Sequence, residues 1–348
     1  MQQNARIFEP AQFRFENQII DQHNRVFNYL RISVIEQCNL RCIYCLPEEG
    51  IDLKPLQKLL TYDEILRIIN IVSCLGISKI RYTGGEPLIR KDMTELVQET
   101  ANTPGIQSVH LTTNGLLLYK YAEGLKKAGL HGINISLDTF DAARFFKISR
   151  REGVEKVLSN LKLAVDLGFP SVKVNVVVMR GFNDDELGKF AELTRSEKIT
   201  VRFIELMPFD AHQIWKTGHY LGAEKILQKM KKLFPQMEKA KGSSTEQHIY
   251  SIPGYKGKIA VIPSFTRSLC EGCTRIRLTA DGNIRNCLYS EEEFNLLAKI
   301  RNGANDEEIG QFFKDAMWQK AKDGWESQKA NKDKVKKHHR DSMTQIGG

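Results

Sequence analysis

Leu30-Arg31-Ile32-Ser33-Val34-Ile35-Glu36-Gln37-Cys38-Asn39-Leu40-Arg41-Cys42-Ile43-Tyr44-Cys45 is the stretch from which the fold can be read. The largely apolar run from Leu30 to Ile35 reads as a buried strand, so the thiols that follow lie on the loop leaving it. They are spaced Cys-x3-Cys-x2-Cys. Three close, soft thiolates select an iron–sulfur cluster, zinc or copper(I) over hard cations. A closed structural zinc site or an ordinary cubane takes four protein ligands. Three leave one position open to something exogenous, which is a catalytic arrangement. From the spacing alone, the competing readings are a zinc site with a distant fourth ligand and reduced core thiols.

The rest of the composition fits an enzyme of a reducing compartment. The chain has 348 residues, 41% of them hydrophobic, enough for one large domain or two ordinary ones. No apolar stretch reaches the roughly 18 residues that span a bilayer, and the first 30 residues lack a signal-peptide core. A soluble intracellular protein is expected. Six of the seven cysteines fall into two tight groups, which speaks for metal ligation over a disulfide framework. The seventh, Cys74, falls on the apolar face of a predicted helix and reads as a core residue. The net charge of +9 favours anionic partners, nucleotides and nucleic acid alike.

From about residue 26, β-rich runs alternate with amphipathic helical ones, the mark of βα units and a parallel sheet. Strands are predicted at 29–35, 79–83, 108–113, 133–138, 172–178 and 200–206. Helices are predicted near 61–75, 92–102, 117–128, 151–167 and 183–197, with Thr61 and Glu64 as a capping pair. This is an α/β fold, an incomplete (β/α)6 TIM-type barrel, with functional residues expected at the carboxyl ends of its strands. Residues 1–25 read as a lead-in, 26–209 as the partial barrel, 210–325 as a C-terminal α+β extension, and 326–348 as a basic tail ending in Gly347-Gly348. In that tail His338 and His339 read as solvated.

The extension carries a second triad, Cys270, Cys273 and Cys287, spaced Cys-x2-Cys-x13-Cys and again one ligand short of a closed site. Asp281-Gly282 between alternating runs signals a hairpin. With those two residues as the turn, Cys287 pairs opposite Ile276 and returns to Cys273. A zinc knuckle is the alternative, but no convincing fourth ligand follows within fifty residues.

Along the barrel, Gly84-Gly85-Glu86-Pro87 leaves the second strand, and its glycines permit close backbone approach to a ligand. Arg31, Arg81, Lys173, Arg275 and Arg277 fall in strands that otherwise read apolar. Buried cations need anionic partners. Several directed into one barrel call for a polyanion such as a nucleoside triphosphate, whose oxygens suit the arginine fork.

The first triad, with Tyr44 before its last cysteine, and the Gly84-Gly85-Glu86-Pro87 segment together resemble the signatures of the radical S-adenosylmethionine (SAM) superfamily. Adding Leu30 to Ser33, Thr112-Thr113-Asn114-Gly115, Asn134 to Asp138, Val172 to Asn175, Arg202 to Phe209, the second triad and the terminal Gly-Gly, residues 25–348 resemble the GTP 3′,8-cyclase (MoaA) family of molybdenum-cofactor biosynthesis. The resemblance implies a radical SAM barrel whose extension carries a second [4Fe–4S] cluster. It implies that Cys38, Cys42 and Cys45 hold a [4Fe–4S] cluster whose open iron binds SAM, and that Cys270, Cys273 and Cys287 hold the second. It places Tyr44, Gly85, Ser136 and Met207 on SAM, and Arg31, Arg81, Thr112, Lys173, Arg275, Ile276 and Arg277 on GTP. Gly347 and Gly348 would reach into the active site, joining Arg275 and Arg277 among the residues that catalysis requires.

The implied reaction is hydrogen abstraction from C3′ of GTP by a 5′-deoxyadenosyl radical, attack of C3′ on C8, and reduction to 3′,8-cyclo-7,8-dihydro-GTP. An electron donor of flavodoxin or ferredoxin type and a following cyclic pyranopterin monophosphate synthase are implied partners, and a homodimer is compatible. No nucleic acid or membrane partner is expected. The location would be the cytoplasm, or the mitochondrial matrix in a eukaryote. The chain departs from the commonest family wording at Glu36-Gln37, where Asp-Arg is frequent, and at Gly132, where Arg often precedes Ile-Asn-Ile-Ser. Another radical SAM enzyme with an auxiliary cluster is the nearest alternative. A metal-bearing nucleic-acid-binding module is a more distant one.

Overall fold

In the computed structural model, residues 18–207, 218–240, 247–332, 340 and 342–347 are described. The calls on Pro208, Phe209, His338, His339, Gly348 and residues 1–17 lie outside them. The barrel half runs β1 (Tyr29–Ser33), α1 (Tyr62–Cys74), β2 (Lys79–Thr83), α2 (Met93–Asn102), β3 (Ser108–Thr113) and α3 (Leu118–Lys127). It continues through β4 (Gly132–Ser136), α4 (Ala142–Ser149), α5 (Val154–Asp166), β5 (Ser171–Val178), α6 (Leu187–Ser196) and β6 (Ile199–Glu205). The extension adds α7 (Ala223–Leu233), β7 (Glu238–Lys239), β8 (His248–Ser251), β9 (Lys258–Ile262), β10 (Arg275–Leu278), β11 (Asn283–Arg285) and β12 (Phe294–Asn295). Among the described residues three α-helices follow, α8 (Leu296–Arg301), α9 (Asp306–Trp318) and α10 (Gly324–Lys332).

Local chemistry accounts for these elements. At the head of α1, Thr61 Oγ1 accepts from the Glu64 amide at 3.2 Å and Glu64 Oε2 accepts from the Thr61 amide at 2.8 Å, a reciprocal cap. Ile65, Ile68, Ile69 and Val72 then recur at helical spacing and are fully buried. Cys74 ends the helix on its exposed side, so the expected core role is corrected. The short α4 has too few residues for a legible period. It forms because Asp141 caps it, accepting from the Arg144 amide at 2.8 Å.

All strands join one sheet in the order β12-β11-β10-β1-β2-β3-β4-β5-β6-β9-β8-β7. The six barrel strands are parallel, and the extension lengthens the barrel from both edges: β10 runs parallel to β1, and β9 parallel to β6. Period-two alternation gives the sheet opposite faces. Leu30, Ile80, Leu111, Ile133, Val174, Phe203 and Ile276 belong to the apolar core. The other parity turns polar residues inward, where ordinary barrels pack branched apolar side chains.

One sequence reading needs correction, and two expected boundaries are crossed by built elements. The β10–β11 turn spans Ala280 to Gly282, since the Thr279 amide donates to Asn283 O at 3.0 Å and Arg277 pairs with Arg285. Continued, this register sets Cys287 level with Arg275 instead of Ile276. Helix α10 crosses residue 326, where the basic tail is expected to begin. The end of the lead-in is built into the fold: Ile20 bridges Val26, and Arg25 Nε donates to Asp21 at 2.6 Å. Among the described residues no helix is long and apolar enough to cross a membrane.

Candidate active site

The first triad sits at the carboxyl ends of the barrel strands, on a loop pinned by its neighbours. The carbonyls of Ile148 and Ser149, left over at the end of α4, accept from the amides of Ile43 and Arg41 at 2.9 Å each. Arg150 Nη1 donates to Arg41 O at 2.9 Å and Leu46 O at 3.1 Å. On the other side Gly85 donates to Ile35 O at 2.8 Å, and a Cβ at Gly85 would lie 2.2 Å from Gln37 O. Glycine is therefore required there by close approach of two loops, beyond any contact with a ligand.

Cys38, Cys42 and Cys45 line a cavity of about 280 Å³ together with Tyr44, Gly84, Gly85, Asn114, Ser136, Asp138 and Met207. Burial pushes the Cys38 thiol up to about 11 and that of Cys45 up to about 12. Tyr44 donates its hydroxyl to Asp138 at 2.5 Å, and burial raises Asp138 to about 6. Glu86 turns away from the cavity. It accepts from Thr113 Oγ1 and the Asn114 amide at 2.7 Å each and from the Leu88 amide at 3.0 Å, tying the loops after β2 and β3 together.

The same cavity continues down the barrel, past Tyr29, Arg31, Arg81, Thr112, Asn134, Asn175 and Arg202, to Arg275 and Arg277. Arg81 donates to Tyr29 Oη at 2.7 Å and to Thr112 Oγ1 at 3.4 Å. Arg277 Nη1 donates to Gly347 O at 3.1 Å, which brings Gly347 to the lumen arginines. Burial, then the charge of Arg277, pushes Arg31 well below its ordinary value; burial, then Arg275, brings Arg277 down to about 10. Arg31 Nε and the Oδ1 atoms of Asn134 and Asn175 are buried without hydrogen-bond partners among the described residues. Crowded cations beside unsatisfied donors and acceptors make a site for a polar polyanion.

Not every expected residue reaches the lumen by its side chain. Ile276 faces the apolar core and is fully buried there, because its parity on β10 is opposite to that of its arginine neighbours. Lys173 has the inward parity on β5, between Asn134 and Thr200, but its charge acts deeper, on His110. Arg202 and Lys79 were missed, although each is a cation of inward parity in a β-rich run; Lys79 lies over the Tyr29 ring at 4.4 Å. At Gly132, a Cβ would lie 2.6 Å from His110 Nδ1, so the absent side chain leaves room for this imidazole.

The second triad lies at the opposite end of the barrel, because β10 starts level with Tyr29 and β11 returns antiparallel. Cys270, Cys273 and Cys287 line a separate cavity of about 130 Å³ with Lys320, Arg275 and Arg277. The two arginines thus stand between the triads. Burial opposes ionisation of Cys273, but the charges of Lys320 and Arg275 outweigh it and hold the thiol below its ordinary value. Arg267, stacked between Tyr289 at 3.4 Å and Trp325 at 3.9 Å, stiffens the loop that leads to Cys270. No three His, Cys, Asp or Glu side chains close around a single ion among the described residues.

The chain matches two family models, the Radical SAM superfamily over residues 32–194 and Molybdenum Cofactor Synthesis C over residues 199–325. It is 41% identical to the GTP 3′,8-cyclase of Chlorobaculum tepidum over 331 residues, 95% of this chain and 97% of that protein. It is 39% identical to the GTP 3′,8-cyclase of Desulforamulus reducens, covering 95% of this chain and all of that one. Against Molybdenum cofactor biosynthesis protein 1 of Homo sapiens it is 44% identical over 84% of this chain and 46% of that longer protein. Among solved structures, Streptococcus suis SuiB bound to S-adenosylmethionine superposes with a TM-score of 0.58 at 15% identity, over 84% of this chain and 69% of that one. That likeness concerns the fold.

Proposed function

The chain belongs to the GTP 3′,8-cyclase family of radical SAM enzymes, and from this premise we propose which of its residues carry the cyclisation of GTP to 3′,8-cyclo-7,8-dihydro-GTP in molybdenum-cofactor biosynthesis. Cys38, Cys42 and Cys45 fit a cluster with one open iron: three free thiols face one cavity, on a loop held from both sides. When bound there, the cluster and SAM supply a 5′-deoxyadenosyl radical. Tyr44, Gly85, Ser136 and Met207 line the space that SAM would fill.

GTP occupies the cationic lumen. Arg31, Arg81 and Arg202 take its phosphates from the barrel wall, with Lys173 and Lys79 adding charge beneath. Arg275 and Arg277 hold the nucleotide between the two triads. Water is excluded by the tail residues Met343 and Thr344 across the mouth. Cys270, Cys273 and Cys287 would hold a second [4Fe–4S] cluster with one iron left free of protein thiolate, beside Arg275 and Arg277. A flavodoxin- or ferredoxin-type donor and a following cyclic pyranopterin monophosphate synthase complete the reading.

The observation that carries it is the lumen itself: five arginines line it, the first triad lies at one end, and Arg275 and Arg277 also line the separate cavity of the second triad. The test is an anaerobic incubation of the reconstituted protein with SAM, dithionite and GTP, read by mass spectrometry. 5′-Deoxyadenosine and the cyclised nucleotide are expected together, in amounts that depend on GTP. SAM cleavage with GTP unchanged would overturn the substrate assignment.

A further inference from the structure

The C-terminal segment is fastened by one side chain that the site described above does not use. Arg340 Nε donates to Glu293 Oε1 at 2.9 Å, and its Nη2 donates to Glu293 Oε2 at 2.5 Å and to both Asp281 oxygens at 3.1 and 3.0 Å. Its Nη1 lies 3.9 Å from Glu36 Oε1. The side chains of Arg340, Asp281 and Glu293 are only 10, 7 and 3% exposed. Lys54 Nζ donates to Asp281, and Arg285 Nη1 donates to Glu293 at 2.7 Å, so three cations balance three carboxylates. Removing one member of such a buried set leaves uncompensated charge behind.

The node joins distant elements. Glu36 precedes the first triad, Asp281 lies in the β10–β11 turn, and Glu293 precedes β12. Two residues beyond Arg340, Ser342 Oγ and the Met343 amide donate to Cys45 O at 2.7 and 3.3 Å. Met343 and Thr344 then wall the first cavity, and Gly347 accepts from Arg277. Gly347 has a φ of 74°, in the left-handed region that glycine tolerates.

We propose that Arg340 is a positioning residue for the cyclisation: it latches residues 342–347 into the barrel mouth, so that Met343 and Thr344 close the cavity and the Gly347 carbonyl orients Arg277. The planar guanidinium fork, with five donors in fixed directions, holds two carboxylates at once in a defined geometry. The effect on turnover rests on the placement of GTP proposed above, whereas the latch itself does not.

The test compares the reconstituted full-length protein with its Arg340→Met variant. In the wild type the amides of Met343, Gln345 and Ile346 are expected to be protected from hydrogen exchange. In the variant they exchange roughly 100-fold faster, while those of β1 and β10 are unchanged. Iron content and SAM binding are retained, and kcat with GTP falls by roughly 10- to 100-fold. Arg340→Lys lies between the two, and adding Glu293→Gln to Arg340→Met costs little more than Arg340→Met alone. Unprotected wild-type amides, or unchanged exchange in Arg340→Met, overturn the latch. So does equally accelerated exchange in β1 and β10, which would make Arg340 a general stabiliser. A wild type that converts no GTP overturns the functional reading, and the exchange data still decide the latch.

Discussion

Arg31, Arg81 and Arg277 line the lumen with no carboxylate partner among the described residues, so the ligand-free protein holds like charges together at a cost to its stability. Replacing Arg275 and Arg277 together by alanine is expected to weaken GTP binding by roughly 100-fold or more, since each removes charge-assisted hydrogen bonds. Arg31→Ala is expected to melt at a higher temperature than the wild type without ligand, a trade of stability against function. Isothermal titration and a thermal melt check the two halves. Unchanged GTP affinity would remove both residues from the nucleotide site.

His110 makes a second residue-scale prediction. Burial first, then the charges of Arg81, Lys79 and Lys173, brings its imidazole down to about 2. An unfolded histidine titrates near 6.5. Below that pH the unfolded chain binds a proton that the native state refuses, so stability is fully present above about 6.5 and is lost as pH falls. Between pH 7.5 and 5.5 the wild type should lose about 1.4 kcal/mol more than His110→Gln, measured by denaturant unfolding at both pH values. Equal losses would mean that His110 titrates in the folded state as it does in the unfolded chain.

At the scale of elements, the first triad depends on the loop after β2 packing without any gap on the loop after β1. A methyl at Gly85 meets backbone carbonyls of Gln37 at 2.2 Å and Glu36 at 2.5 Å, atoms that cannot rotate aside. Gly85→Ala is expected to cost about 1–3 kcal/mol and to displace the thiol loop. Iron at the first site should fall while iron at the second is retained, as read by iron analysis and electron paramagnetic resonance. Helix α4 serves the same loop from the other side, its terminal carbonyls receiving the amides of Arg41 and Ile43.

Across the whole molecule the two triads occupy opposite ends of one barrel, and Arg275 and Arg277 line both cavities. Cys273→Ser with Cys287→Ser should therefore remove the second cluster proposed above without disturbing the first. Reductive SAM cleavage is expected to survive and conversion of GTP to be lost, with iron content about halved. Loss of all iron in that double variant would show that the ends of the barrel do not load independently.

Thiol spacing, the parity of cations in apolar strands and the capping pair at Thr61 and Glu64 are local patterns. From them, and from the order of motifs along the chain, the sequence by itself determined the fold class, both triads and most of the lumen cations. Local patterns carry no information about what they face. Ile276 sits in a motif with two lumen arginines and yet packs in the core, because neighbours on a strand point to opposite sides. Cys74, within an apolar helix, proved exposed. The β10–β11 turn took three residues where two were expected, moving Cys287 by one position, and the strand it returns along set the second triad at the far end of the barrel. Arg340 had no signal at all: its partners Glu36, Asp281 and Glu293 are far away in sequence, and only the folded chain brings their charges within reach. Burial and charge neutralisation between remote segments belong to the tertiary structure, since they depend on which surfaces exclude water together.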